Sequence, residues 1–224
     1  MKFRHEYKHY ISALDYLTLR KKLQAIMTMD YNSDEDGMYH IRSLYFDNFR
    51  DTALQEKIDG LNHREKFRIR CYNLNFDFLN LEKKSKVNGL CGKLKSPITR
   101  QETQMLLDGD ISWMSQSQYP LLVELYGKMH SGLLRPKTIV DYQREAYVYA
   151  PGNVRVTIDK SIKTGLKSTD LFNPDLPTIS AGDAKYLLEV KYDSFLPDVI
   201  AKIVQLQARQ KSPYSKYAVC RLYG

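Results

Sequence analysis

Residues 64–72, REKFRIRCY, alternate charged and apolar side chains with a period of two. On a strand this places Arg64, Lys66, Arg68 and Arg70 on one face and Phe67, Ile69 and Cys71 on the other. The same period, in segments rich in Tyr, Val, Ile and Phe and separated by DG, NG and PGN turns, predicts strands over 3–11, 38–47, 64–73, 78–86, 90–97, 137–149, 154–162, 184–193 and 215–223. Helical spacing interrupts it in a few places. SALDYLTLRKKLQAIM opens with Ser12 and Asp15 at capping-box spacing and carries Leu14, Leu17, Leu23 and Ile26 as its expected core face. Thr99 and Glu102 repeat the box before TQMLL, and a last helix is expected from Pro197, with Val199, Ile200, Ile203, Val204 and Leu206 inward. Residues 167–183, with Pro, Ser and Gly and little periodicity, read as a flexible loop. Many strands with few helices predict an α+β fold built on an antiparallel sheet that closes into a barrel.

The charged faces decide which way such a barrel points. VRVTIDK sets Arg155, Thr157 and Asp159 against Val154, Val156 and Ile158; YLLEVKY sets Glu189 and Lys191 against Leu188 and Val190. Arg4, Glu6 and Lys8 share a face, as do Glu82, Lys84 and Lys86, although Lys83 breaks the second pattern. A single such face reads equally as a solvated surface laced with cross-strand ion pairs. Taken together, however, the helices need an apolar surface to cover. That demand is met if the barrel is inverted, with apolar faces outward under the helices and a charged lumen, which is a tunnel. Neighbouring cations about 7 Å apart repel by about 2 kcal/mol at an effective dielectric near 20, so an enclosed face of this kind calls for an anion.

Composition narrows the partner. The 224 residues are 43% hydrophobic, enough for a full core, and are expected to form one domain over 1–224. Thirty-four Lys and Arg against 26 Asp and Glu give a net charge of +8, which favours an anionic ligand. Carboxylates mixed among the cations argue against nucleic acid, because each Asp or Glu along a phosphate backbone weakens binding. They suit a triphosphate with its divalent metal instead, the acids holding the metal and the bases the phosphate oxygens. The charged N-terminus is neither a signal nor a transit sequence, and no stretch has the length of a membrane span. Cys71, Cys91 and Cys220 lack metal or disulfide spacing, so a reducing, cytoplasmic setting is expected. His5, His9, His40, His63 and His130 are scattered and read as structural or surface residues, and Trp113 and the tyrosines as core and tunnel wall.

Seven motifs in order, RSLYFDN, EKIDGLNHREKFRIRCY, LEKKSK with GKLK, YQREAY, RVTIDKSI, LLEVKYD and YSKYAV, resemble the VTC domain. That is the polyphosphate polymerase domain of the vacuolar transporter chaperone complex and its bacterial relatives, within the triphosphate tunnel metalloenzymes. The resemblance spans nearly the whole chain. It implies an antiparallel tunnel barrel and Mn²⁺- or Mg²⁺-dependent transfer of the ATP γ-phosphate onto a polyphosphate chain. Carried over by motif, Lys66, Arg68, Arg70 and Lys216 are the expected catalytic cations, with Lys8, Lys84, Lys93, Arg144, Arg155 and Lys191 gripping phosphates. Glu189 is the expected metal carboxylate, with Glu6 and Glu82 as further metal candidates.

The chain departs from the wider superfamily in one place: RHEYK puts Arg4 where the first acid of an E-x-E-x-K strand stands, which fits one metal better than two. Coupling of synthesis to translocation would need a separate membrane partner. The residues leave two alternatives open, hydrolysis of a triphosphate or nucleoside triphosphate on the same scaffold, and a non-catalytic polyphosphate-binding module. None of the three requires an activated Ser or Cys nucleophile.

Overall fold

The computed structural model describes residues 2–30, 37–183, 186–205 and 214–222. In chain order the elements are β1 (Phe3–Ile11), α1 (Ala13–Ile26), β2 (Thr28–Met29), β3 (Met38–Asp47), α2 (Thr52–Ile58), β4 (Arg64–Tyr72), β5 (Asn75–Val87) and β6 (Leu90–Ile98). They continue with α3 (Arg100–Leu107), α4 (Pro120–His130), β7 (Arg135–Tyr149), β8 (Val154–Thr164), β9 (Ile179–Ser180), β10 (Tyr186–Tyr192), α5 (Asp198–Val204) and α6 (Lys216–Leu222). Eight strands close in the order β7-β3-β4-β5-β6-β1-β10-β8 and back to β7, every pair antiparallel. The weakest seam is β1–β6, where only Phe3 with Gly92 and Arg4 with Cys91 are in register. Asn88 and Gly89, at φ 47° and 85°, make the two-residue turn between β5 and β6 that the NG signal predicts.

The barrel is inverted, as the alternation requires. Phe67, Ile69 and Cys71 of β4 point outward and are buried with Leu79 and Leu81 under Leu106 of α3 and Leu122, Leu125 and Met129 of α4. Val156, Ile158, Leu188 and Val190 are buried on another part of the outside under Tyr16, Leu19 and Leu23 of α1 and Ile200 of α5. Lys83, the exception in the pattern, lies outside as well: its ammonium pairs with Glu65 at 2.8 Å and with Glu124 of α4. Cross-strand registers then set Lys66 opposite Lys84, Arg68 opposite Glu82, Lys8 opposite Glu189, Glu6 opposite Lys191 and Arg144 opposite Asp159 on the inner face.

Three expectations need correction. Of the strand expected over 215–223, Lys216–Leu222 form a helix instead, α6, which packs against the lumen side of the barrel at one end, and residue 223 lies outside the described residues. Tyr217 and Cys220 are buried there with Ile41, Tyr45, Tyr142 and Leu187 of the inner wall and Ala53 and Leu54 of α2. Tyr217 stacks on Tyr45 and donates to Asp47 Oδ2 at 2.6 Å. The helix α1 forms behind its capping box, but Leu14 and Leu17 are 74% and 54% exposed. Its buried stripe is Tyr16, Leu19 and Leu23, because the Tyr16 hydroxyl donates to the buried Glu145 carboxylate and its ring stacks on Tyr186. In α5 the inward residues are Ile200 and Val204 while Val199 is exposed; Leu206 lies outside the described residues.

Other readings stand. Thr99 and Glu102 cap α3 reciprocally, a motif worth about 1 kcal/mol. The loop 167–183 is irregular apart from β9, yet it is pinned by buried Leu171 and by Arg42, which donates to the Leu171 and Asn173 carbonyls. Arg42 is held in turn by both oxygens of Asp141.

Candidate functional site

Within the closed sheet polar groups of all eight barrel strands converge, and Glu82, Glu6, Glu189 and Asp159 are each shared by two or more cations. Glu82, 2% exposed, accepts from Arg68 Nε and Nη2 at 2.8 and 2.5 Å and from Lys93 Nζ at 3.1 Å, with Arg70 Nη1 3.7 Å away. Arg70 is otherwise held by Ser43 Oγ at 3.1 Å and the Tyr142 hydroxyl at 2.9 Å, while Arg68 Nη1 donates to the Tyr45 hydroxyl at 2.7 Å. Burial alone would push the Glu82 carboxyl up, but Arg68, Arg70 and Lys93 hold it well below the usual carboxylate range.

Across the lumen, Glu6 takes Lys84 on both oxygens at 2.9 and 2.8 Å and Lys8 at 3.1 Å, and lies 3.6 Å from Lys191 Nζ. Glu189 shares that ammonium at 3.0 Å and lies 3.6 Å from Arg144 Nη2. Burial and the neighbouring Glu189 raise the Glu6 carboxyl, yet Lys8, Lys84 and Lys191 outweigh them and bring it down to about 2. Glu189 is likewise held well below its ordinary value, against burial, by Lys191, Lys8, Lys84 and Arg144. Arg144 forks onto Asp159 at 2.6 and 2.8 Å, and Lys216 of α6 reaches the same carboxylate at 2.5 Å. Despite full burial, those two cations bring Asp159 down to about 2.

All ten predicted cations therefore lie on the inner wall or on α6, which packs into it. Lys66 donates to Ser215 Oγ at 2.9 Å just before α6, and Arg155 to the Tyr39 hydroxyl at 2.9 Å and to Asp30 at 2.5 Å. The three carboxylate candidates are divided: Glu6 and Glu189 face the same ammonium, whereas Glu82 belongs to the Arg68–Arg70–Lys93 group. Among the described residues no three or more His, Cys, Asp or Glu side chains come together as a ready metal cage. Two neighbouring carboxylates do suit a hard divalent ion of the Mg²⁺ kind, which is commonly held by one or two acids together with substrate phosphates. Sequence reasoning omitted Asp159, Tyr45 and Tyr142 from the site. Asp159 was visible four residues after Arg155 on the same face, but the tyrosine hydroxyls carry no signal until the strands are in register.

Cys71 and Cys220 are fully buried, and burial pushes both thiols up to about 12. His40 pairs with Asp141 at 3.6 Å and His5 stacks on Tyr192, away from the lumen groups. No helix among the described residues is long and apolar enough to cross a membrane.

The family model described as the VTC domain matches residues 3–223. No curated protein matches the chain. Among solved structures, a Bacillus halodurans protein provisionally assigned as an adenylate cyclase is similar at 13% identity and a TM-score of 0.52, covering 86% of this chain and 82% of that one. The PH1012 protein of Pyrococcus horikoshii is similar at 13% identity and a TM-score of 0.52, covering 96% of this chain and 98% of that one. At such identities the likeness is one of fold.

Proposed function

The chain belongs to the VTC domain family, of the triphosphate tunnel type, and from that premise we propose that it is a metal-dependent phosphotransferase that moves the ATP γ-phosphate onto a polyphosphate chain inside the barrel. One observation carries the reading: the lumen carboxylates Glu6, Glu82, Glu189 and Asp159 are each outnumbered by the cations they meet, as Glu82 is by Arg68, Arg70 and Lys93. A phosphate chain entering the lumen can take over those cations one group at a time.

In this reading Arg68, Arg70, Lys66 and Lys216 face the reacting phosphates, and Lys8, Lys84, Lys93, Arg144, Arg155 and Lys191 hold donor and acceptor in line. An oxygen of the acceptor's terminal phosphate forms the new bond to the γ-phosphorus while the bond to the β,γ-bridging oxygen breaks, and ADP leaves with that electron pair. The fixed guanidinium and ammonium groups offset the charge on the transferring oxygens without reorganising, which is where most of the rate enhancement arises. Glu189 and Glu6 would hold Mn²⁺ or Mg²⁺, with Glu82 a more distant candidate; a divalent ion there would supply further neutralisation of phosphate oxygens. ATP and polyphosphate are the partners the chemistry calls for, and a separate membrane partner would be needed for any translocation.

Hydrolysis, with water as acceptor, is the second reading, and α6 favours it by filling one end of the lumen with Tyr217 and Cys220. Phosphorus NMR of the protein with ATP and Mn²⁺, with and without a short phosphate primer, separates the two. Growing internal-phosphate signal with ADP supports the polymerase; orthophosphate without internal signal replaces it with the hydrolase. An unchanged spectrum in both samples overturns catalysis and leaves a binding module.

A further inference from the structure

Beside α6, where β1 diverges from the β5–β6 hairpin, the wall opens into a cavity of about 300 Å³ whose lining includes Glu6, Lys8, Lys57, Arg64, Lys66, Lys84, Lys86 and Ser215. Its charge is unlike that of the deeper lumen. Among the described residues the only carboxylate lining it, Glu6, is already engaged by Lys8, Lys84 and Lys191. Among the described residues Lys57, Arg64, Lys66 and Lys86 make no salt bridge within 4 Å: Lys66 donates to Ser215 Oγ and lies 5.7 Å from the Tyr217 ring centre, and Arg64 donates to the Leu61 carbonyl, with Glu56 a more distant opposite charge. Four cations gathered without a nearby counter-charge repel one another, a cost that an anion removes.

We propose that the outer part of this cavity, at Lys57, Arg64 and Lys86, is a second anion subsite continuous with the paired-charge lumen, and that it holds the outer part of the inorganic phosphate chain accepting the transferred group. The assignment to a chain, rather than to the nucleotide, follows from the lining. Beyond Glu6 it offers cations on several walls and no carboxylate to take a ribose hydroxyl. It is also continuous with Glu6 and Lys84, so a chain whose reacting end lies at those residues runs outward past Lys66 to Lys57, Arg64 and Lys86. The lowered proton affinity of Lys57 and Lys66, caused by burial and then by the surrounding cations, agrees with a site built for an absent anion.

The proposal rests on the phosphotransferase reading for the word acceptor, and two measurements keep the two separable. Binding of tripolyphosphate to the full chain is measured calorimetrically with metal chelated, for the wild type, for Lys57→Ala/Arg64→Ala/Lys86→Ala and for Glu189→Gln. The triple variant is expected to bind at least tenfold more weakly with an undiminished Tm, since like charges have been removed, while Glu189→Gln retains binding. A Kd within twofold of wild type for the triple variant overturns the subsite. In the transfer assay the triple variant is expected to raise KM for added primer and to leave KM for ATP unchanged; an equal rise in both overturns the assignment to the acceptor. If no transfer is detected in any protein, the phosphotransferase reading fails and the assignment to an acceptor falls with it, whereas the binding measurement still decides whether the cavity takes a phosphate chain.

Discussion

Replacing Glu82 by Gln tests whether the lumen carboxylates act as stand-ins for phosphate. The side chain is 2% exposed and accepts from Arg68 twice and Lys93 once, with Arg70 at 3.7 Å. Gln keeps one carbonyl acceptor but removes the charge, leaving Arg68 and Arg70 on adjacent inward positions of one strand without compensation. Breaking a buried pair in this way costs about 3–5 kcal/mol, and the retained acceptor places the expectation near the lower bound, about 3 kcal/mol. For a chain of this size that corresponds to a fall in Tm of about 6–12 °C. Tripolyphosphate at a hundredfold excess over its Kd returns about 2.7 kcal/mol to any protein that binds it only when folded. The variant binds it more tightly than wild type, since no carboxylate has to be displaced, so its ligand-induced rise in Tm is the larger of the two. The assay is thermal unfolding of both proteins with and without tripolyphosphate, metal chelated. A Tm within about 2 °C of wild type, or equal ligand shifts in both proteins, refutes the reasoning.

Metal stabilisation should separate the acids: Mn²⁺ added with tripolyphosphate raises the Tm of wild type and Glu82→Gln alike, and Glu189→Gln loses that increment; retention in Glu189→Gln moves the metal elsewhere. Acid should unfold the barrel, because Glu6 and Asp159 are lowered to about 2 and Glu82 and Glu189 also lie well below their ordinary values. Carboxylates depressed in the folded state stabilise it fully above about pH 5 and lose that contribution as pH falls toward 2, so a Tm that stays level from pH 6 to 3 contradicts the pairing. At the cavity, Lys57 is lowered to about 8 by burial and by Arg64, Lys8 and Lys86 on the elements facing it. Its charged form is therefore disfavoured in the empty protein, stability rises as pH passes from 8 toward the unfolded value, and affinity for a polyphosphate chain falls over the same range. Lys57→Met should remove the part of that pH dependence centred near 8, as read by calorimetric titration at pH 7, 8 and 9; an unchanged profile rules out this lysine as the titrating group.

How far these features were legible differs from element to element. The two-residue period of β4 was enough to orient a whole wall, because Phe67 and Ile69 can be buried only on the side opposite Arg68 and Arg70. Capping boxes located the starts of α1 and α3, since Ser12 and Thr99 bond their own third residues whatever the rest of the chain does. The phase of α1 was not legible: it depends on Glu145, far along the chain, which draws Tyr16 inward at the expense of Leu14 and Leu17. The segment that becomes α6 carries Tyr217, Val219 and Cys220 in an order compatible with either period, and only the apolar recess formed by Ile41, Tyr45 and Leu187 selects the helix. PLLVELYGKMH, the α4 helix, was missed even though Pro120 opens it and Leu121, Leu122, Leu125 and Met129 are spaced as a core stripe. Of the site, cations on alternating strand positions were readable, Lys86 among them, while the hydroxyls of Ser43, Tyr45 and Tyr142 and the pocket residue Lys57 were assembled only by register and by α2.

The division of the lumen into an apolar part and a charged part constrains how a phosphate chain can move. With Tyr217 stacked on Tyr45 and bonded to Asp47, and Lys216 bonded to Asp159, α6 is tied to three of the barrel strands, β3 and β8 by polar contacts and β7 through its burial against Tyr142. Passage along the full axis beneath those strands would break these contacts together. The β1–β6 seam has only two residue pairs and opens beside the helix, and the unpaired cations lie there rather than under α6. On the phosphotransferase reading, a growing chain held at Glu6 and Lys84 would have a lateral route outward along Lys66, Lys57, Arg64 and Lys86 that leaves α6 in place. Fixed cations also limit that route, because each phosphate gained at the cavity must be released for the next to enter.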